Sequence, residues 1–177
     1  MLTPDVSWYW YVDEQRNCLS IALSETLHFA TPYQVKQLID IPRRPCPITL
    51  EQMAFFHELH QAILSVNVSY SDAEILQMLL NAMAAMFFHK HVAQKNWLYH
   101  EAEEPVQGDV FGLISTDHGQ TTCLIFAVEG GSAKAITLDS LHLTDDKSID
   151  TFSLIRVSTH RLSPVSTQVS LRQLRRA

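Results

Sequence analysis

The chain has 177 residues, 46% of them hydrophobic and 18% charged. That is enough apolar mass for one large domain or two small ones, and it excludes a disordered chain. A formal net charge of -6 argues against the basic footprint of a nucleic-acid-binding protein, and weakly against docking on an anionic membrane surface.

The chain opens Met-Leu-Thr-Pro-Asp, with neither a basic leader nor an apolar core of a signal peptide, so a cytosolic location is expected. The run Trp8-Tyr9-Trp10-Tyr11 then sets four aromatic rings side by side in a predicted strand, Trp8 to Asp13. Side chains alternate between the faces of a strand, so Trp8 and Trp10 share one face and Tyr9 and Tyr11 the other. One face is expected to be core and the other a contact surface; a strand buried on both sides is the alternative. Further strands are predicted at Cys18 to Leu23 and Thr26 to Phe29, joined by turns at Glu14 to Asn17 and at Ser24-Glu25. Thr31 before Pro32 predicts an N-cap with a first-turn proline, opening a short helix through Tyr33, Val35 and Leu38. Three prolines between Ile41 and Pro47 predict a loop, exposed at Arg43 and Arg44.

Two helices follow. Thr49 with Gln52 forms a capping-box pattern ahead of Met53, Phe55, Phe56, Leu59, Ile63 and Leu64 at helical spacing. Ser71 with Glu74 is a cleaner box. It opens a helix whose apolar stripe, from Ile75 to Phe88, is wide enough to predict burial on most sides. No run reaches the roughly 18 apolar residues of a membrane span, because this helix region is broken by Gln77, Asn81, His89, Lys90 and His91. His89, Lys90 and His91 are expected at its C-terminal turn, facing the negative end of the dipole.

Glu101-Ala102-Glu103-Glu104-Pro105 is an acidic break and the expected domain boundary. Beyond it, strand-like runs at Asp109 to Ser115, Thr121 to Glu129, Ala133 to Leu138 and Phe152 to Val157 alternate with turns at Asp117-His118-Gly119 and Glu129-Gly130-Gly131. Several short strands with tight turns predict a small barrel or sandwich. The expected organisation is α+β: an α/β domain over 1–104, a small antiparallel β-barrel-like domain over 105–170, and a frayed basic tail over 171–177.

No catalytic motif emerges. His57-Glu58-Leu59-His60 lacks the i, i+4 spacing of a zinc helix, and His89 and His91 lie two apart. There is no nucleophile elbow, no G-x-G-x-x-G and no Walker loop. Asp117-His118 reads as a turn, with a catalytic Asp–His pair as the alternative. Cys18, Cys46 and Cys123 are odd in number and widely spaced, which predicts reduced thiols used as small apolar residues. Two rival functions stay open on these residues: a single-stranded nucleic-acid module built on a β-domain and the Arg172, Arg175 and Arg176 tail, and a His-dependent metal hydrolase. An apolar pocket for a small ligand in the first domain is a third.

The blocks Pro4-Asp5, Trp8-x-Trp10-Tyr11-x-Asp13-Glu14, Leu80-Asn81-Ala82, Lys95-x-Trp97 and Gly108-Asp109 occur in this order along the chain. In them the sequence resembles the bacterial cell-division proteins of the ZapC family, over essentially its whole length and least in its C-terminal third. The resemblance implies a cytosolic, non-enzymatic protein without a cofactor, located at the midcell division ring. It implies binding to polymeric, GTP-bound FtsZ, lateral association of the filaments and dampened GTP turnover, with neither nucleic acid nor membrane as partner. It also implies an α/β domain followed by a small β-barrel. A bundling factor must touch more than one filament, as a weakly associating dimer or as a monomer with two faces. Interface anchors are typically Trp, Tyr and Arg. The expected contacts are therefore Trp8, Trp10, Tyr11, Trp97 and Tyr99, with Lys90 and Lys95 beside them and Leu23 and Phe29 lining an adjoining pocket. Each aromatic among these is equally a plausible core residue.

Overall fold

A computed structural model of the chain describes residues 1–66 and 69–165. The expected basic tail at 171–177 lies outside the described residues. Met1–Gln61 with Ser71–His91 forms one compact unit, and Ala62–Tyr70 with the chain from Val92 onward forms a second. The boundary read from the acidic break, after Glu104, falls inside the second unit.

The first unit carries strands β1 (Tyr9–Asp13), β2 (Cys18–Ala22), β3 (His28–Gln34) and β4 (Cys46–Pro47), helix α2 (Asp72–Phe88), and helix α1 (Leu50–Ser65) as far as Gln61, its last residues from Ala62 belonging to the second unit. Its antiparallel sheet has the order β3-β2-β1-β4. Both capping boxes form. The Gln52 amide donates to Thr49 Oγ1 at 3.2 Å, and the Thr49 amide donates to Gln52 Oε1 at 3.2 Å. At α2 the Ser71 amide donates to Glu74 Oε2 at 2.7 Å and the Glu74 amide returns to Ser71 Oγ. Along α2, Met78 to Ala85 are buried without a break, as its wide stripe predicts. The helix ends at Phe88, so His89 to His91 lie beyond its last turn, where Leu38 and His89 form a β-bridge.

Two local expectations fail for a shared reason. The helix predicted from Thr31-Pro32 is instead the second half of β3, with only a single 3-10 turn at Val35–Gln37 after it. β3 is the outer strand of the sheet, where a proline costs no ladder hydrogen bond. The register with β2 slips between Cys18 and Ser20, and the Thr31 hydroxyl donates to the Leu19 carbonyl at 2.8 Å across that bulge. The predicted loop around Pro45 likewise contributes Cys46–Pro47 as a short edge strand on β1. It leaves Cys46 exposed, whereas Cys18 and Cys123 are buried as expected.

The second unit holds β5 (Phe111–Thr116), β6 (Gly119–Glu129), β7 (Ser132–Thr137), the hairpin of β8 (Leu141–Thr144) and β9 (Lys147–Ile149), then β10 (Leu154–Ser158) and β11 (Ser163–Pro164). Five of these form an antiparallel sheet of order β10-β7-β6-β5-β11. It corrects the barrel expectation: among the described residues β10 and β11 are open edges, and no sheet closes on itself. The turn between β6 and β7 places Gly130 and Gly131 at φ of 55° and 75°, the left-handed pair that a two-residue hairpin requires. The core of this unit gathers Ile114, Cys123, Ala133, Ala135, Leu141, Val157 and Leu162.

One charged cluster in the first unit has a measurable consequence. The Met1 amine pairs with Asp72 at 2.7 Å. His60, half-buried near His57, is held below its usual pKa by burial first, then by the charges of His57 and the Met1 amine, with Asp72 opposing them. A folded pKa below the unfolded value of 6.5 means that the unfolded chain binds the extra proton. This contribution to stability is complete above about pH 6.5 and is lost as the pH falls through the folded value. Urea midpoints measured between pH 7.5 and 5 should show a smaller acid loss in His60→Gln than in the parent.

Candidate functional site

The two faces of β1 have separate fates. Trp8 and Trp10 are 1% and 0% exposed. Trp8 meets Phe56 edge-on at 6.0 Å, and Trp10 packs on Phe88 at 5.1 Å. The indole of Trp10 donates to Gln52 Oε1 at 3.2 Å, the same oxygen that caps α1. These two rings, expected as contacts, are packing residues: a partner reaches neither without opening the fold.

The opposite face presents Tyr9 and Tyr11, both half-buried, with ring centroids 6.1 Å apart. The Tyr11 hydroxyl is hydrogen-bonded to His28 Nδ1 at 2.9 Å, and the two rings sit edge to face. Burial, reinforced by the Asp13 carboxylate, raises the Tyr11 pKa above its ordinary value. Beside these rings runs a groove of about 360 Å³. Tyr9, Tyr11, Val12, Glu14 and His28 form one wall, and residues 42–45 form the other. Leu23 is buried and Phe29 half-buried, and neither lines this groove. Period-2 alternation marked Tyr9 as sharing the Tyr11 face, but nothing local pointed to His28 or to the Arg43–Arg44 wall.

In the second unit, Lys95 and Trp97 are exposed, with Trp97 at 76%. The segment around them is pinned. Asn96 Oδ1 accepts the Ser158 amide at 2.8 Å, and Gln94 Oε1 accepts the Ser132 hydroxyl at 3.0 Å. Tyr99 is buried, its carbonyl held by Arg161 Nη1 at 2.8 Å, and burial pushes its hydroxyl up to about 12. Tyr99 therefore anchors the turn, while Trp97 projects from it. Lys90, in the first unit, is exposed, but its ammonium donates to the Lys36 carbonyl at 2.8 Å.

The Asp117–His118 pair does not form. Asp117 bonds His100 Nε2 at 2.7 Å, while His118 faces Asp145 at 3.3 Å, and all four side chains are substantially exposed. Among the described residues no group of three or more His, Cys, Asp or Glu converges as metal ligands.

The family model for the N-terminal part of cell-division protein ZapC matches residues 1–90. The chain belongs to the ZapC family. The match spans β1 to α2, including both tryptophans of the core and both walls of the groove. Similarity continues beyond it. Cell division protein ZapC of Pseudoalteromonas atlantica is 30% identical over 171 residues, covering 93% of this chain and 94% of the relative. Its counterpart in Shewanella frigidimarina is 31% identical over 168 residues, with 93% and 94% covered. That of Aeromonas hydrophila is 27% identical over 168 residues, with 92% of each chain covered. A role in cell division follows from this membership. No described helix is long and apolar enough to cross a membrane.

Proposed function

We propose that this protein is a non-enzymatic division factor that binds FtsZ in its polymeric, GTP-bound form. In this reading it acts in the cytoplasm at the midcell ring, as a monomer or a weakly self-associating species. It promotes lateral association of filaments and dampens their GTP turnover. Family membership supports the cellular role, and one observation carries the choice of contact: Trp97, 76% exposed on a hydrogen-bonded turn with Lys95 two residues before it. A large exposed ring carried on a turn that hydrogen bonds already fix leaves little backbone to order on binding, which is the character of an interface anchor. Tyr11 supplies a second aromatic surface in the other unit. Two separate surfaces of modest affinity suit a polymer, since many sites multiply weak contacts into avidity.

Co-sedimentation with FtsZ tests the reading. The parent should pellet with FtsZ only when GTP drives assembly. Trp97→Ala is expected to weaken the apparent affinity by about tenfold or more, the size of an anchor residue, with an unchanged urea midpoint. Lys95→Glu should flatten the salt dependence of pelleting. Pelleting that ignores GTP, or none at any salt concentration, would remove FtsZ as the partner.

A further inference from the structure

The pairing of β1 stops in a way that leaves a binding edge. Trp10 pairs with Cys46 and Tyr9 with Pro47, and the Ile48 amide donates to the Trp8 carbonyl at 3.0 Å. In an antiparallel ladder every second residue points its amide and carbonyl at the same neighbour. Trp8, Trp10 and Val12 therefore face the β4 side, and Tyr9, Tyr11 and Asp13 face β2. The residue due opposite Val12 is Arg44, but β4 ends at Cys46. Pro45 cannot donate to a ladder, and the chain from residue 45 back to residue 42 leaves the sheet. No backbone hydrogen bond closes the Val12 position on that side among the described residues. The groove of about 360 Å³ has Val12 in one wall and residues 42–45 in the other.

Its charge singles out a ligand. Arg43 and Arg44 are both exposed, and among the described residues neither makes an ion pair or a hydrogen bond. Glu14 is the single acidic lining residue against these two cations, in a chain whose formal net charge is -6. Two free guanidiniums offer a planar fork that matches carboxylates. Tyr9 and Tyr11 add an aromatic wall for an apolar side chain. Free main-chain groups give affinity to an added strand, and the flanking side chains give it specificity.

We propose that this groove binds a short, extended acidic segment of a partner protein, which pairs with the backbone of Val12 and sets a carboxylate against Arg43 and Arg44. The proposal goes beyond the FtsZ reading and holds whichever protein carries the segment, so its test contains no FtsZ.

The probe is a fluorescein-labelled peptide of alternating Glu and Val, titrated into the full-length protein and followed by anisotropy and by exchange of the Val12 amide. Binding should saturate, slow Val12 exchange and weaken with salt. Arg43→Glu with Arg44→Glu should weaken it at least about tenfold. The same double variant should gain affinity for the Lys-Val counterpart, which the parent binds poorly, and that gain reports a folded protein. Methylating the peptide's backbone nitrogens should also reduce binding severalfold, since a side-chain clamp alone would not sense them. Equal affinity for the Lys-Val peptide, unchanged binding by the double variant, indifference to methylation, or preference for an oligonucleotide over the peptide would each overturn the proposal.

Discussion

Replacing Trp10 by alanine is expected to destabilise the first unit by about 3–5 kcal/mol, the usual cost of deleting a fully buried tryptophan. The ring is completely buried, packs on Phe88 and donates from its indole to Gln52. The loss is mainly the cavity, because Gln52 Oε1 keeps the Thr49 amide as a donor and is not orphaned. Against a total stability of about 5–15 kcal/mol for an ordinary domain, such a loss leaves the unit close to unfolding. Urea denaturation followed by tryptophan emission in a Trp97→Phe background reads it directly, since the buried Trp8 is then an emitter in both parent and variant. A loss under about 1 kcal/mol would show that Trp10 is not the packed core residue described here. The comparison with Tyr11→Ala separates two roles within one strand: that variant should stay folded and lose only what the Tyr face binds. Loss of a binding activity in Trp8 or Trp10 variants therefore says nothing about contact.

Asn81→Leu should do the opposite and stabilise the chain. Asn81 lies in the middle of α2, fully buried between Leu80 and Ala82, and among the described residues neither its side-chain nitrogen nor its oxygen has a hydrogen-bond partner. Each unmet buried polar group costs about 1–3 kcal/mol, and leucine has the same branched skeleton without the polar atoms, its bulkier methyl groups costing some strain. A net gain of about 1–3 kcal/mol is expected after strain from the changed shape. For a chain of this length that corresponds to a rise in Tm of about 2–4 °C per kcal/mol. A fall in Tm would mean that the amide is satisfied by a buried water, which the substitution would strand. Asn81→Ala is the control, removing the same polar atoms but opening a cavity, and should gain less.

The difference between what was legible and what was not follows the reach of each signal. Both capping boxes, at Thr49 and Ser71, are contacts across three residues, and the sequence contains both partners side by side. The Gly130-Gly131 turn is equally local, as is the wide stripe of α2. Thr31-Pro32 carries an equally local helix signal and misleads, because its strand is decided by an edge position in the sheet and by a bulge opposite Leu19. The β8–β9 hairpin carries little signal along the chain because its strands are only four and three residues long. A closed barrel was expected from strand count, but closure depends on whether the two outer strands pair, and these do not. At the sites, aromatic character picked out Tyr11 and Trp97 but could not separate them from Trp8, Trp10 and Tyr99, which the fold buries.

By itself, the sequence determined the family, the two capped helices, the aromatic alternation of β1 and the strand-rich second half, all set by residues within a few positions of one another. Tertiary structure alone decided which face of that strand is core. The choice rests on Gln52, 42 residues from Trp10 in sequence, and on Phe88 farther still. It also decided that the chain departs from the sheet before Cys46, which opens the groove beside Val12. Alternation along a strand is a property of backbone geometry, but burial belongs to whichever element arrives to cover a face, and that element comes from a distant part of the chain.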